Sequence, residues 1–136
     1  MIYLDSSAVV KMIRPELESR ALVEWLNEQD EATVTSVLAE VEVPRALRRS
    51  GPTYLATMPG VLAAISRVDL DASVRATAAA YVTDTLRSLG AIHVATAEVL
   101  VASGKTVSAF VTYDRRQAAA VAAAGITVQA PGQAPA

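Results

Sequence analysis

The stretch Ala109-Phe110-Val111-Thr112-Tyr113-Asp114-Arg115-Arg116-Gln117-Ala118-Ala119-Ala120-Val121-Ala122-Ala123-Ala124-Gly125-Ile126-Thr127-Val128-Gln129 decides the fold. Its opening, Ala109–Tyr113, is small, aromatic or β-branched and predicts a strand. The Ala-rich part that follows resembles low complexity, but alanine is the best helix former. A helix over Arg115–Ala124, ended by Gly125, is therefore expected. Ile126–Gln129 then predicts a closing strand. A helix between two short strands is the crossover that joins parallel neighbours, so a mostly parallel sheet covered by helices is expected.

The same alternation runs back to the N-terminus. Ile2–Leu4 predicts the first strand and Ser7–Ile13 a short helix stopped by Arg14-Pro15. Glu16–Glu28 repeats Leu17, Ala21, Leu22, Trp25 and Leu26 at helical spacing. Ala32–Thr35 is a short strand, and Val37–Arg49 a helix that Pro44 should kink. Thr53–Met58 and Val61–Ala64 are two short helical pieces split by Pro59-Gly60. Ile65–Leu70 is a partly exposed strand. Ala72–Leu86 is a helix that Asp71 or Ser73 can cap, and Ala91–Ala102 another, opened near Gly90. With no repeat and no linker, a single α/β domain over residues 1–130 is expected, with 131–136 a flexible tail.

Composition narrows the partners. The 136 residues are 52% hydrophobic and 19% charged, enough apolar material for a sizeable core. A net charge of −2 excludes a global basic field, so nucleic acid would have to be held by local patches. The chain has no cysteine, which excludes disulfides and thiolate metal sites and suits a cytoplasmic protein. No apolar run reaches the roughly 18 residues that span a bilayer. The N-terminus reads as a strand and not as a signal peptide.

Two apolar runs each stop on an acid: Ile2-Tyr3-Leu4 on Asp5, and Phe110-Val111-Thr112-Tyr113 on Asp114. If the two strands are parallel neighbours, both acids reach the carboxyl edge of the sheet, where open α/β sheets place their crevice. Carboxylates gathered there repel unless a cation joins them or one keeps its proton, which points to a hard divalent metal. Each acid has a competing role as a helix N-cap. Ser6 and Ser7 can cap the first helix equally well, which would leave Asp5 free. Glu40 and Glu42 are two residues apart and cannot share a helix face, and periodicity does not choose between them. Ser6 or Thr112 can hydrogen-bond a metal-holding carboxylate. His93, the single histidine, lies on an apolar helix face and reads as packed core. Arg45, Arg48, Arg49, Arg115 and Arg116 flank the acids and can hold phosphates as bidentate donors, with Lys11 and Arg14 nearby.

Four segments in order carry a family resemblance. Asp5-Ser6-Ser7-Ala8 after the first strand resembles the start of a PIN-domain ribonuclease. Val41-Glu42-Val43-Pro44-Arg45-Ala46-Leu47-Arg48-Arg49 is similar to the second motif of actinobacterial VapC toxins. Leu86-Arg87-Ser88-Leu89-Gly90-Ala91-Ile92-His93-Val94-Ala95-Thr96-Ala97 resembles the third, and Phe110–Arg116 the fourth. The resemblance implies a three-layer α/β/α fold around a parallel five-stranded sheet. It selects Glu42 over Glu40, and it implies that Asp5, Glu42 and Asp114 converge to hold Mg2+, with Mn2+ as the alternative ion. It further implies cleavage of RNA, homodimerisation, and a VapB-like antitoxin that crosses the crevice in a toxin–antitoxin hetero-oligomer.

The third motif departs from the family at one place, with Gly90 where an Asp is usual. Asp84 and Glu98 are too far along the chain to replace it. Glycine is a tolerable N-cap, so the fold should survive, but the metal loses a ligand or a water-orienting contact. The expected activity is thus a metal-dependent endoribonuclease toxin impaired at Gly90. The alternative is a silent member that binds antitoxin, and RNA, without cutting. A receiver-type phosphoryl-transfer protein ranks below both, because Lys105 precedes the last-but-one strand where a receiver needs a lysine after it.

Overall fold

β1 (Ile2–Leu4) runs through the middle of the sheet in the computed structural model, which describes residues 1–135. On one side it pairs in parallel with β2 (Thr33–Ser36), Tyr3 opposite Val34. On the other it pairs in parallel with β4 (Ala109–Val111), Tyr3 opposite Phe110 and Leu4 opposite Val111. β3 (Ser66–Val68) and β5 (Val128–Gln129) are the edges, giving the order β3-β2-β1-β4-β5 with every pairing parallel. The chain builds outward to β3, then returns to add β4 on the other side of β1. The carboxyl ends of β1 and β4 are therefore the topological switch point.

Side chains alternate along β1 and supply both layers. Ile2 and Leu4 enter one core, where they meet α1 (Ser6–Ile13), α2 (Ser19–Glu28), α3 (Ala39–Arg48) and α4 (Pro52–Ala63) through Val9, Leu22, Val43, Leu47 and Leu62. Tyr3 enters the other with Phe110, Val94 and Val121, under α6 (Ser88–Ala102) and α7 (Arg115–Ala123). α5 (Ala72–Ala79) packs on α6. Tyr3 stacks on Phe110 with ring centroids 4.7 Å apart, worth about 0.5–1.5 kcal/mol beyond burial alone. This is the expected three-layer fold on a five-stranded parallel sheet.

Several local expectations are corrected. α4 is one helix running through Pro59, in place of the two pieces expected. Tyr54, Leu55, Met58 and Val61 all pack on the first core, and that burial outweighs the lost backbone bond. α5 stops at Ala79 instead of continuing to Leu86. Tyr81 and Leu86 turn into the second core, and the Tyr81 hydroxyl donates to Glu98 on α6, which a continued helix would not allow. α2 starts at Ser19 because the Ser19 hydroxyl accepts from the Glu16 amide at 2.8 Å. Asp71, one of the two cap candidates, caps α5 by accepting from the Val74 amide at 2.9 Å. Gly90 is not an N-cap but the third residue of α6, which begins at Ser88.

Residues 131–134 tie back onto the corner between β4 and α7. Tyr113 donates to the Pro131 carbonyl at 2.8 Å, Gln133 to the Tyr113 carbonyl at 3.0 Å and Arg115 to the Ala134 carbonyl at 2.7 Å. Among the described residues no helix is long and apolar enough to cross a membrane.

Candidate active site

Asp5 follows β1 directly and is fully buried. Its Oδ1 accepts from the Ser7 hydroxyl at 2.6 Å and the Ala8 amide at 3.0 Å, and its Oδ2 from the Thr112 hydroxyl at 2.6 Å. Asp5 is therefore the cap of α1, the competing role that the sequence left open between it, Ser6 and Ser7. Neither serine caps, because each hydroxyl is committed to a carboxylate: Ser7 to Asp5 and Ser6 to Glu42. Burial raises the Asp5 carboxyl above its ordinary pKa, against the opposing pull of His93 and of the Ser7, Thr112 and Ala8 hydrogen bonds.

Asp114 caps α7. Its Oδ1 accepts from the Arg116 amide at 2.8 Å and the Gln117 amide at 3.2 Å, with Arg116 Nε 3.6 Å away. All three contacts fall on Oδ1. Thr112 joins the two acids: it donates to Asp5 and accepts from the Asp114 amide at 3.0 Å. Both acids thus fill the N-cap role, and that role is what fixes them at the switch point.

Glu42 sits in the first turn of α3, half-buried. Its Oε1 accepts from the Ser6 hydroxyl at 2.7 Å and lies 2.8 Å from His93 Nε2. His93 on α6 is buried, and its Nδ1 lies 2.7 Å from the Tyr3 hydroxyl. Burial, with the nearby Asp5 charge, raises the Tyr3 pKa far above its usual value against weaker hydrogen bonding from Thr96, Thr35 and Ser36, so this hydroxyl keeps its proton. On the other side of the ring, Nε2 lies within hydrogen-bond reach of both Glu42 Oε1 and the Ser6 hydroxyl, at 2.8 and 3.1 Å. At Glu42 burial acts upward, but the His93 and Ser6 hydrogen bonds and the His93 charge outweigh it, leaving the carboxyl below its ordinary value. Glu40 points elsewhere, exposed and 3.7 Å from Arg67 Nε. His93 is thus buried, as expected, but it is also a polar partner of the acid. Sequence offered no signal for this, since Tyr3 and Glu42 lie 90 and 51 residues from it.

Two cavities meet at Glu42. One of about 610 Å3 is lined by Glu42, Arg87, Gly90, Asp114, Arg116 and Gln117. The other, of about 420 Å3, runs past Ser6, Lys11, Val41, Glu42, Arg45 and Arg49. Of the five candidate arginines, Arg45, Arg49 and Arg116 line this crevice and Arg48 and Arg115 do not. Arg115 instead reaches the tail at Ala134. Arg87 also lines the crevice; it lies in the segment that resembles the third motif but was not among the candidate phosphate-binding arginines. Lys11 is held by Glu16 and Glu18, each at 3.2 Å.

Among the described residues no three acidic or histidine side chains gather into a metal-holding group. Asp5 stands behind the crevice with both oxygens bonded, while Glu42 and Asp114 line the same cavity. The donors are all hard oxygens, and Mg2+ usually takes one or two protein carboxylates and keeps several waters, so this pair fits a hard divalent cation. A Cβ built at Gly90 would lie 3.1 Å from Gln117 Cγ and 3.2 Å from Leu86 Cδ1, so the Gln117 side chain lies across the place where a third acid would begin. The Gln117 Oε1 is buried and has no hydrogen-bond partner among the described residues.

A parallel sheet of this order with acids at its switch point defines the class. The PIN-domain family profile matches residues 2–123, and the chain belongs to that family. Within it the chain is of the VapC type. Ribonuclease VapC35 of Mycobacterium tuberculosis is 50% identical over 135 residues, covering 98% of this chain and 99% of that one. The crystal structure of Mycobacterium tuberculosis VapC20, a Sarcin-Ricin loop cleaving toxin, superposes with a TM-score of 0.71 at 15% identity, over 88% of this chain and 95% of that one. A toxin–antitoxin complex from Klebsiella pneumoniae superposes with a TM-score of 0.71 at 14% identity, over 96% and 98%. At these identities the two structures speak for the fold.

Proposed function

We propose that this chain is a metal-dependent endoribonuclease toxin that hydrolyses RNA phosphodiester bonds in the cytoplasm. The observation that carries the reading is that Glu42 and Asp114 line one cavity at the switch point, with Arg87 and Arg116 on its walls. Glu42 and Asp114 would hold Mg2+ or Mn2+, which when bound polarises the phosphoryl oxygen and acidifies a water.

The remaining work falls to the chain itself. Ser6 and His93 hold Glu42 ionised in one orientation. Asp5, through Thr112, sets the backbone of Asp114 and so the direction of its carboxylate. Asp5 becomes a direct ligand only if Ser7 and Thr112 release it. Arg45, Arg49, Arg87 and Arg116 bind the RNA backbone as bidentate donors.

A VapB-like antitoxin belongs to the same reading. Val41 and Leu89 stay 57% and 50% exposed along the crevice that Arg45 and Arg49 line, a surface suited to an apolar and acidic segment. The Klebsiella complex, a toxin of this fold with its antitoxin, supports it. Homodimerisation is also part of the reading, with exposed Leu17 and Val23 at and near α2 as apolar surface for it.

Gly90 favours a second reading, a silent member that binds antitoxin and RNA without cutting. RNA cleavage in Mg2+ and Mn2+ decides between them, using the unaltered chain, Gly90→Asp and Asp114→Asn. Cleavage by the unaltered chain that Asp114→Asn abolishes establishes the first reading. Cleavage only after Gly90→Asp establishes the second for the chain as it stands. Inactivity of all three, on intact folded protein, rejects the nuclease reading.

A further inference from the structure

We infer that Gln117 supplies the oxygen the crevice lacks at Gly90: its side-chain carbonyl is a neutral donor for the divalent cation held by Glu42 and Asp114. This rests on the metal-dependent reading above. The first argument is occupancy. Gln117 Cγ and Cδ lie 3.1 and 3.5 Å from where a Cβ at residue 90 would stand, so Gln117 fills the approach a third acid would use. The second is chemical. A buried carbonyl oxygen without a donor is unfavourable and rare, and Gln117, which lines the crevice, carries such an atom; a turn of its terminal amide would bring that oxygen to a cation there. Side-chain amide carbonyls are established oxygen ligands of hard cations. The third is placement. Gln117 is the third residue of α7, and its own amide bonds Asp114 Oδ1 at 3.2 Å, so the two side chains rise from one turn with coupled positions.

Charge is consistent with this arrangement. Glu42 and Asp114 carry two negative charges against a divalent cation, and the amide adds a ligand without adding repulsion. An acid at residue 90 would take over the same role, and the Gln117 side chain would have to give way by a few tenths of an ångström at Cγ. The two positions should therefore behave as alternatives, so their substitutions are non-additive.

The test is Mn2+ binding to the full chain without RNA, read by electron paramagnetic resonance and calorimetry, with apo thermal stability in parallel. Gln117→Leu should weaken Mn2+ binding about tenfold without lowering the apo Tm, since it removes an unpartnered buried oxygen. Gln117→Glu, which keeps an oxygen there, should restore binding to at least the starting level. In a Gly90→Asp background Gln117→Leu should change little. Unaltered Mn2+ affinity in Gln117→Leu, while Asp114→Asn loses it, overturns the role of Gln117 alone. No Mn2+ binding by the unaltered chain, or binding that Asp114→Asn leaves intact, overturns the metal reading and this inference together.

Discussion

His93 Nε2 lies 2.8 Å from Glu42 Oε1, while Nδ1 of the same ring takes the Tyr3 hydroxyl at 2.7 Å. The imidazole therefore connects the central strand to the crevice acid through the protein interior. Both ring nitrogens are used, so the orientation of the ring is set by the fold. Removing the ring would take away the 2.7 Å partner of the Tyr3 hydroxyl and one of the two side chains that hold Glu42. His93→Ala should lose about 1–3 kcal/mol of stability in urea denaturation and raise the Glu42 pKa read by NMR. Stability and Glu42 titration both at their original values would refute the connection.

Asp5 should cost the protein stability at neutral pH. Its folded pKa is raised by burial, so its favourable contribution is complete below the unfolded pKa and is lost as pH rises through the folded value. Asp5→Asn keeps an acceptor for Ser7 and Ala8, obliges the Thr112 hydroxyl to accept where it now donates, and removes the buried charge. Near neutral pH it should be more stable than the parent by about 0.5–2 kcal/mol, with the gap shrinking toward acid. A Tm series across pH checks this, and a less stable Asp5→Asn at neutral pH would contradict it.

Glu42 should show the opposite sign. Its folded pKa is depressed, so its contribution is present above the unfolded value and lost as pH falls through the folded one. Glu42→Gln should therefore be less stable than the parent at neutral pH, and the two should converge only in acid, below the ordinary glutamate pKa. Parallel Tm profiles for the two proteins down to acid would count against it.

RNA binding should separate the arginines by position. Arg87→Ala with Arg116→Ala, or Arg45→Ala with Arg49→Ala, should weaken binding. Each pair should also reduce the slope of log affinity against log salt, by about one for every phosphate no longer neutralised. Arg48→Ala should leave both close to the parent, because Arg48 lines neither cavity. Filter binding of RNA with a non-cleaving Asp114→Asn background measures it. An Arg48 effect as large as that of either pair would overturn the assignment.

Gly90→Asp should be tolerated by the fold. A Cβ there meets only the side chains of Gln117 and Leu86, at 3.1–3.2 Å, and an acid in the first turn of α6 is favoured by the helix dipole. The stability change should stay within about 1 kcal/mol. A much larger loss in calorimetry would mean that Leu86 cannot yield.

The sheet was legible because its signals are local: Ile2–Leu4, Thr33–Ser36 and Ala109–Val111 alternate or run apolar between breakers. Sequence and structure part where packing overrides propensity. Pro59 reads as a break, yet α4 continues because its apolar side chains are buried together. Residues 80–86 read as helix, yet Tyr81 and Leu86 gain more from the second core than from another turn. At the site, Asp5, Glu42 and Asp114 were identifiable as candidates, but the roles of His93, Arg87 and Gln117 were not.

The sequence by itself determined the alternation of strands and helices, the two acids at strand ends and the gap at Gly90, because each is a matter of neighbouring residue types. Only the tertiary structure decided that Asp5 is sealed behind Thr112 and Ser7, that Ser6 and His93 grip Glu42, and that Gln117 lies over Gly90. The Ser6–Glu42 and Asp5–Thr112 partners stand 36 and 107 residues apart. Hydrogen bonds of that span are set by where the strands and helices pack, and local periodicity carries no record of them.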